Sequence, residues 1–199
     1  MEKFQNRCRK FFDHLWPAED KRLVFGEGQW ERPRLMLIGE APGEQETLQG
    51  RPFVGKAGKN LDGFLEVVKL RREEIWLSNV VKVRPTKVSA KGRVSNRPPS
   101  AEELALFTPY LYEEILLVRP RVIVTLGNVA LQALLGSGAT IGQRHGRLTE
   151  CDVRAGREEA PFRVYPLYHP ASVIYNRSLA DVYLADLIHL RALLDGGVI

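Results

Sequence analysis

Arg34 to Asp62, RLMLIGEAPGEQETLQGRPFVGKAGKNLD, is the stretch that decides the fold. It opens on Leu35-Met36-Leu37-Ile38, an apolar run of the length expected of a buried strand. Gly39 ends the run. Glu40 and Glu44 bracket Pro42-Gly43, and Glu46 follows. Phe53 then stands in a Pro/Gly loop, and Lys56 and Lys59 flank Gly58 where a helical pattern begins. A strand emptying into acids, glycines and one loop aromatic has the look of a site, because an open α/β sheet carries its chemistry on the loops at its strand ends.

Outward from that stretch the chain alternates strands and helices. Ile75–Val81, Arg121–Gly127 and Val164–Tyr168 read as three more strands, the last an edge strand if Pro166 belongs to it. Ala57–Leu70 carries Leu61, Phe64, Leu65 and Val68 at helical spacing, which sets Gly55–Gly58 near a helix N-terminus, where unpaired amides attract anions. Ser100 with Glu103 is a capping box that opens a helix to about Val118, with a kink expected at Pro109. Phe4–Leu15 is a helix stopped by Pro17, Asn128–Leu135 a short helix, and Ser178–Leu194 the closing helix, with Leu179, Val182, Tyr183, Leu187, Leu190 and Leu194 on one side. Val24–Gly28 is a connector packed on the sheet, Ile141–Arg163 a hairpin or excursion, and Thr86–Pro99 a loop. Such spacings forbid simple hairpins between the four strands. They predict a three-layer αβα sandwich around a central four-stranded parallel sheet, one domain over residues 1–199.

Bulk properties narrow the function classes. At 199 residues, 44% apolar and 27% charged, the composition is that of an ordinary globular domain. No apolar run reaches membrane-spanning length and the N-terminus lacks a signal-peptide pattern, so a cytoplasmic location is expected. Cys8 and Cys151 make neither a disulfide framework nor a metal site on their own. The net charge of +5 permits a polyanionic partner without demanding one. Its distribution says more: from Ile75 to Ala101 there is no acid, while Lys82, Arg84, Lys87, Lys91, Arg93 and Arg97 are all basic. That is either a solvated basic loop or one that contacts phosphates.

Two nucleotide motifs fail on inspection. Gly50–Lys56 fits the first seven positions of a P-loop, but Ala57 lacks the hydroxyl that holds magnesium and Pro52 has no amide to offer. Gly39–Gly43 is not a dinucleotide fingerprint. More telling are Glu40, Asn79 and His169, each at a strand end, and Phe53 in its loop. Each has a plain structural reading: a helix-dipole partner, a turn cap, a packed or capping histidine, a core anchor. Four such coincidences on one rim point to a site.

GEAPGEQE, GRPFVGKAGKNLD, LSNVVKVRP, RPRVIVTLG and LYHPA, in that order, closely resemble the uracil-DNA glycosylase superfamily, and its family four most of all, over roughly Val24–Leu194. The resemblance implies a DNA glycosylase of base excision repair that hydrolyses the N-glycosidic bond of an everted uracil, acting as a monomer on single- or double-stranded DNA. It implies that Phe53 stacks on the base, Asn79 reads its edge, and His169 donates to O2 and stabilises the departing uracil anion. Glu40, with Glu46 as second candidate, would hold the water and favour a cationic sugar. Lys56 and Lys59 would contact phosphates. Pro170–Arg177 matches the loop that wedges into the duplex, with Val173, Ile174 and Arg177 filling the vacated space and Ser172 also on the DNA. Lys87, Lys91 and Arg93 would add phosphate contacts. Excision of hypoxanthine or xanthine, or a non-catalytic DNA-binding role on the same scaffold, are the alternatives.

The chain also departs from that pattern. Family-four enzymes usually carry a four-iron, four-sulfur cluster on four cysteines. Here Val83 and Thr108 stand at the third and fourth positions, and Cys8 matches one N-terminal position without a partner. No cluster and no other cofactor or metal is expected, and apolar packing of Phe11, Phe12, Val83 and Phe107 should tie those segments down instead. The lengthened basic loop holds no histidine, so no covalent crosslink to the abasic sugar is expected.

Overall fold

The structure, a computed structural model, describes residues 1–16 and 21–199; side chains at 57, 174 and 175 lie outside the description. The expected helix stop at Pro17 and the wedge role of Ile174 therefore fall outside the described residues. Helix α1 (Glu2–Leu15) leads into a two-residue strand β1 (Glu27–Gly28), then β2 (Leu35–Gly39), α2 (Glu44–Gln49), α3 (Lys56–Val68) and β3 (Trp76–Asn79). A small hairpin of β4 (Thr86–Val88) and β5 (Val94–Asn96) follows, then α4 (Ala101–Val118), β6 (Val122–Leu126), α5 (Gly127–Leu135) and α6 (Ile141–Arg144). The chain closes with β7 (Thr149–Ala155), β8 (Glu158–Leu167), α7 (Pro170–Tyr175) and α8 (Ala180–Asp195).

The main sheet runs β1-β3-β2-β6-β8-β7. Its middle four strands are parallel, as the alternation of strands and helices predicts; β1 and β7 extend it antiparallel at either edge. Of the two readings of 141–163, hairpin or excursion, the hairpin holds, while β1 carries no strand signal in the sequence. β1 is too short to show a period, and β7 alternates half-buried with exposed polar residues as one arm of the hairpin expected in 141–163. Pro166 sits inside β8 without breaking the sheet, because β7 stops covering β8 at Val164. Beyond that point a proline has no ladder bond to lose on the open side.

Side chains alternate across β2 and build two cores. Met36 and Ile38 join Phe12, Phe107, Leu111 and Ile115 on the side of α1 and α4. Leu35 and Leu37 join Phe64, Leu65, Leu187 and Leu190 on the side of α3 and α8. These are the three layers, and they account for the uninterrupted burial of β2 and β6, since a parallel strand is covered on both faces. Ser100 caps α4 as expected: its Oγ accepts from the Glu103 amide, and Glu103 Oε2 accepts from the Ser100 amide. The helix runs unbroken through Pro109. On α8 the apolar stripe holds for Leu187, Leu190 and Leu194, while Val182 faces solvent.

The basic loop is ordered rather than loose, folding into the β4–β5 hairpin. The six cations of the acid-free stretch 75–101 divide in two. Lys82 is buried in an ion pair with Glu114, Arg84 pairs with Glu44, and Arg97 pairs with Glu103. Lys82 is therefore no phosphate ligand: local sequence showed its charge but not the carboxylate that α4 brings to it. Lys87, Lys91 and Arg93 are exposed, with no ion pair among the described residues.

Candidate active site

The parallel register sets Gly39 at the end of β2 opposite Asn79 at the end of β3. Glycine is required there by close approach. A Cβ at Gly39 would come within 2.4 Å of Asn79 Oδ1 and 2.9 Å of Phe53 Cζ. The Asn79 amide and the Phe53 ring thus meet over the Gly39 backbone.

Phe53 is held there against its own preference. Its φ of +53° is left-handed, a conformation that costs a bulky residue roughly 1–3 kcal/mol. Three contacts hold the loop. Glu46 is buried, and its carboxylate accepts from the amides of Val54 (3.1 Å), Gly55 (2.7 Å) and Gly43 (3.2 Å). Arg72 Nη2 donates to the carbonyls of Pro52 (3.1 Å) and Phe53 (2.9 Å). The Phe53 backbone lies so close to α3 that a Cβ at Gly58 would fall 1.9 Å from the Phe53 carbonyl oxygen.

His169 follows β8 and N-caps α7, so its plain structural reading is correct as well. Its Nδ1 accepts from the Ala171 amide at 3.1 Å. That bond commits the Nδ1 lone pair and assigns the proton to Nε2. Burial holds the imidazole below its ordinary pKa of 6.5, hence neutral at pH 7. The ring is therefore a neutral donor through Nε2–H.

Phe53, Asn79, His169 and Glu46 line one cavity of about 600 Å³, together with Lys56 and, from the hairpin, Arg93 and Asn96. Glu40 does not line it. Glu40 is half-buried one residue before Ala41, which does, and burial raises its carboxyl pKa above the ordinary 4.5. The two carboxylates differ in kind: Glu46 is committed to backbone amides, whereas Glu40 has no side-chain hydrogen bond among the described residues. The remaining cations spread outward. Lys59 and Arg177 line a neighbouring cavity, Lys87 and Lys91 stand out on the hairpin, and Ser172 is exposed on α7.

A family profile described as the Uracil DNA glycosylase superfamily matches residues 25–189. The chain belongs to that superfamily. A Type-4 uracil-DNA glycosylase of Archaeoglobus fulgidus is 37% identical over 183 residues, covering 90% of this chain and 84% of its own. One of Sulfurisphaera tokodaii is 34% identical over 190 residues, covering 94% and 80%. The crystal structure of wild-type SMUG2 from Pedobacter heparinus shares the fold, with a TM-score of 0.54 at 14% identity over 83% of this chain and 77% of that one.

The residues at the family-four cluster positions do not fit an iron–sulfur cluster in this glycosylase fold. Cys8 is buried and its thiol is pushed up to about 11, the opposite of what a thiolate ligand needs. Thr108 donates its hydroxyl to the Leu104 carbonyl, and Val83 is buried. Rings occupy the space between α1 and α4: Phe12 stacks on Phe107 at 4.7 Å and Trp16 stacks on Phe12 at 5.2 Å. Phe11 takes a smaller part than expected. It is 43% exposed, with its ring against the edge of Phe12 and the Tyr110 ring.

Two supporting residues escaped the sequence reading. Arg72 had no local signal, because its partners are backbone carbonyls about twenty positions away. Glu114 had one. It falls on the helical face of Phe107, Leu111 and Val118, so periodicity alone marks it as a buried carboxylate in need of a partner.

Proposed function

We propose that this chain, a single domain over 1–199, is a uracil-DNA glycosylase that hydrolyses the bond between N1 of an everted uracil and C1′ of its sugar, leaving an abasic site for base excision repair. The convergence of the Asn79 amide, the Phe53 ring and the neutral His169 in one cavity carries this reading. Phe53 stacks on the base. The Asn79 amide accepts from N3–H and donates to O4, a pattern that mismatches the exocyclic amine of cytosine. His169 Nε2–H donates to O2. As the N1–C1′ bond breaks, its electron pair passes to the uracil ring, and that hydrogen bond stabilises the anion where charge develops. Water attacks C1′ and gives up its proton. We assign that proton to Glu40, whose carboxylate is unengaged and whose chain neighbour Ala41 lines the cavity, so the Glu40 side chain acts from beside the cavity and not from its wall, while Glu46, on the wall, holds the Phe53 loop.

Lys56 and Arg93, both on the cavity wall, contact the flanking phosphates, with Lys87, Lys91, Ser172 and Arg177 further out. No cofactor enters this scheme, and the chain works as a monomer on single- or double-stranded DNA in the cytoplasm. None of its helices among the described residues is long and apolar enough to cross a membrane.

Labelled oligonucleotides carrying uracil, hypoxanthine, xanthine or a thymine mismatch, single- and double-stranded, treated with alkali after incubation, test the proposal. Strand breaks at uracil are expected. Breaks confined to another base, or none, would overturn it.

A further inference from the structure

The base of the β4–β5 hairpin carries an amide that the proposed reaction leaves unused. Asn96 ends β5, opposite Thr86, and stands with Arg84 on the wall of the active-site cavity. This end of the hairpin is held firmly. Arg97, next in the chain, donates from Nε to the Thr86 carbonyl at 3.0 Å and forks onto both Glu103 oxygens. Arg84 Nε donates to Asn96 Oδ1 at 2.7 Å, and its Nη1 reaches Glu44 at 3.2 Å. A guanidinium has only donors, so that bond decides which way round the Asn96 amide lies. Oδ1 faces Arg84. Nδ2 is turned to Gly43 on the same cavity wall, 3.6 Å from where a Cβ on that glycine would stand. Nδ2 has no hydrogen-bond partner among the described residues. The cavity therefore holds two amides of different kind: Asn79 offers a donor and an acceptor, Asn96 a donor alone.

We propose that Asn96 Nδ2 donates to a phosphate oxygen next to the everted nucleotide, and that Arg84 is the positioning residue that aims it. The inference rests on the uracil reading and adds a substrate contact to it. In that reading the base has spent its acceptors, O4 on Asn79 and O2 on His169. The nucleotide has left only the ether oxygens of its sugar and the oxygens of its phosphates. A phosphate oxygen is charged and is the stronger acceptor of the two. Lys56 and Arg93, on the same wall, bring positive potential to the same place. Arg84 also strengthens the donor, because a charged hydrogen bond at Oδ1 draws electron density away from Nδ2. A neutral amide differs from the cations around it in two respects. It singles out one oxygen by direction, and it displaces no counterion, so its loss leaves the salt slope unchanged.

The probe is a single-stranded oligonucleotide with one non-cleavable 2′-fluoro-deoxyuridine; binding is read by fluorescence anisotropy. At each phosphate flanking that nucleotide, one non-bridging oxygen is replaced by methyl and the two diastereomers are separated. Both lose the same charge, so the difference between them reads direction alone. In the unaltered protein they should differ about tenfold at one phosphate, the worth of one hydrogen bond to a charged group. Asn96→Ala should weaken binding to the unmodified oligonucleotide by a similar factor at every salt concentration and abolish the difference between diastereomers. Asn96→Asp keeps an oxygen for Arg84, and so keeps the hairpin in place, but sets a carboxylate against the phosphate; it should bind more weakly still. Arg84→Ala should narrow the diastereomer difference, and Arg84→Lys, which retains a cationic donor, should restore part of it. No difference in the unaltered protein, or one that survives Asn96→Ala, would overturn the contact, and one that survives Arg84→Ala would overturn the aiming. Alkali cleavage of the matching deoxyuridine oligonucleotide reads uracil release separately. Release without an Asn96-dependent difference refutes the contact alone, whereas a difference without release supports the contact and refutes the uracil reading.

Discussion

The ammonium of Lys82 donates to the backbone carbonyl of Asn79 at 2.7 Å from inside the core. The same ammonium reaches Glu114 at 2.6 Å and Ser78 Oγ at 2.7 Å, and Glu114 also accepts from Trp76 Nε1 and Ser78 Oγ. Lys82 and Glu114 are 2% and 1% exposed. The residue assigned to read the base is thus tied from behind to a buried, fully bonded ion pair, whose geometry leaves the backbone at Asn79 little freedom.

Removing one partner of that pair strands the other charge in the core. Lys82→Met should destabilise the fold by about 3–5 kcal/mol in chemical denaturation. Adding Glu114→Gln should restore part of the loss, because a neutral amide is easier to bury than a lone carboxylate. A single variant as stable as the parent would show that the pair does not hold the β3 end.

Asn79→Ala and His169→Ala should each cut uracil release by about a hundredfold or more, the usual worth of one group aimed at developing charge or a transferred proton. Single-turnover rates decide it, and near-normal rates in both would move the active site elsewhere.

The pH profile follows from two shifts of opposite sign. Burial depresses His169 below 6.5, so the imidazole is neutral above that pH and gains a proton only as pH falls through its lowered value. A proton on Nδ1 would break the bond from the Ala171 amide. Burial raises Glu40 above 4.5, so its carboxylate is lost earlier on acidification than that of an exposed glutamate. Both effects lower activity on the acid side. kcat/KM should be level above pH 6.5 and fall between about 6.5 and 4.5. The His169 shift also contributes stability that is fully present above pH 6.5 and is lost as pH falls through the depressed value. An activity maximum below pH 5 would contradict the assignment of both groups.

Glu46→Ala leaves the amides of Gly43, Val54 and Gly55 without their acceptor. Each such group costs about 1–3 kcal/mol when buried, less where water enters. The strained Phe53 backbone should then relax. KM for uracil-DNA and the inhibition constant of free uracil should both rise, while Glu66→Ala, on the exposed side of α3, should change neither.

Charge on the hairpin separates by partner. Neutralising Lys87, Lys91 and Arg93 together should reduce the slope of log affinity against log salt by about 2 on single-stranded DNA, close to 0.7 per lost phosphate contact. Arg97→Ala should leave the slope unchanged, because Glu103 already engages that guanidinium at 2.6 and 2.8 Å. An unchanged slope in the triple variant would make the hairpin surface only.

The sequence by itself determined whatever depends on local spacing. The apolar runs gave the four parallel strands, since a strand covered on both faces must be apolar throughout. The Ser100–Glu103 box gave the start of α4, since a cap is made within one turn. The strand-end positions of Asn79 and His169 placed them on one rim, because parallel strands share their C-terminal edge. Only the tertiary structure decided which charges are spoken for. Lys82 looked like its basic neighbours until α4 delivered Glu114, and Glu46 looked like Glu40 until the Phe53 loop folded back onto its carboxylate. Chain distance hides such pairings, because whether a charge is committed depends on which partner packing brings within bonding reach and on how little water remains between them.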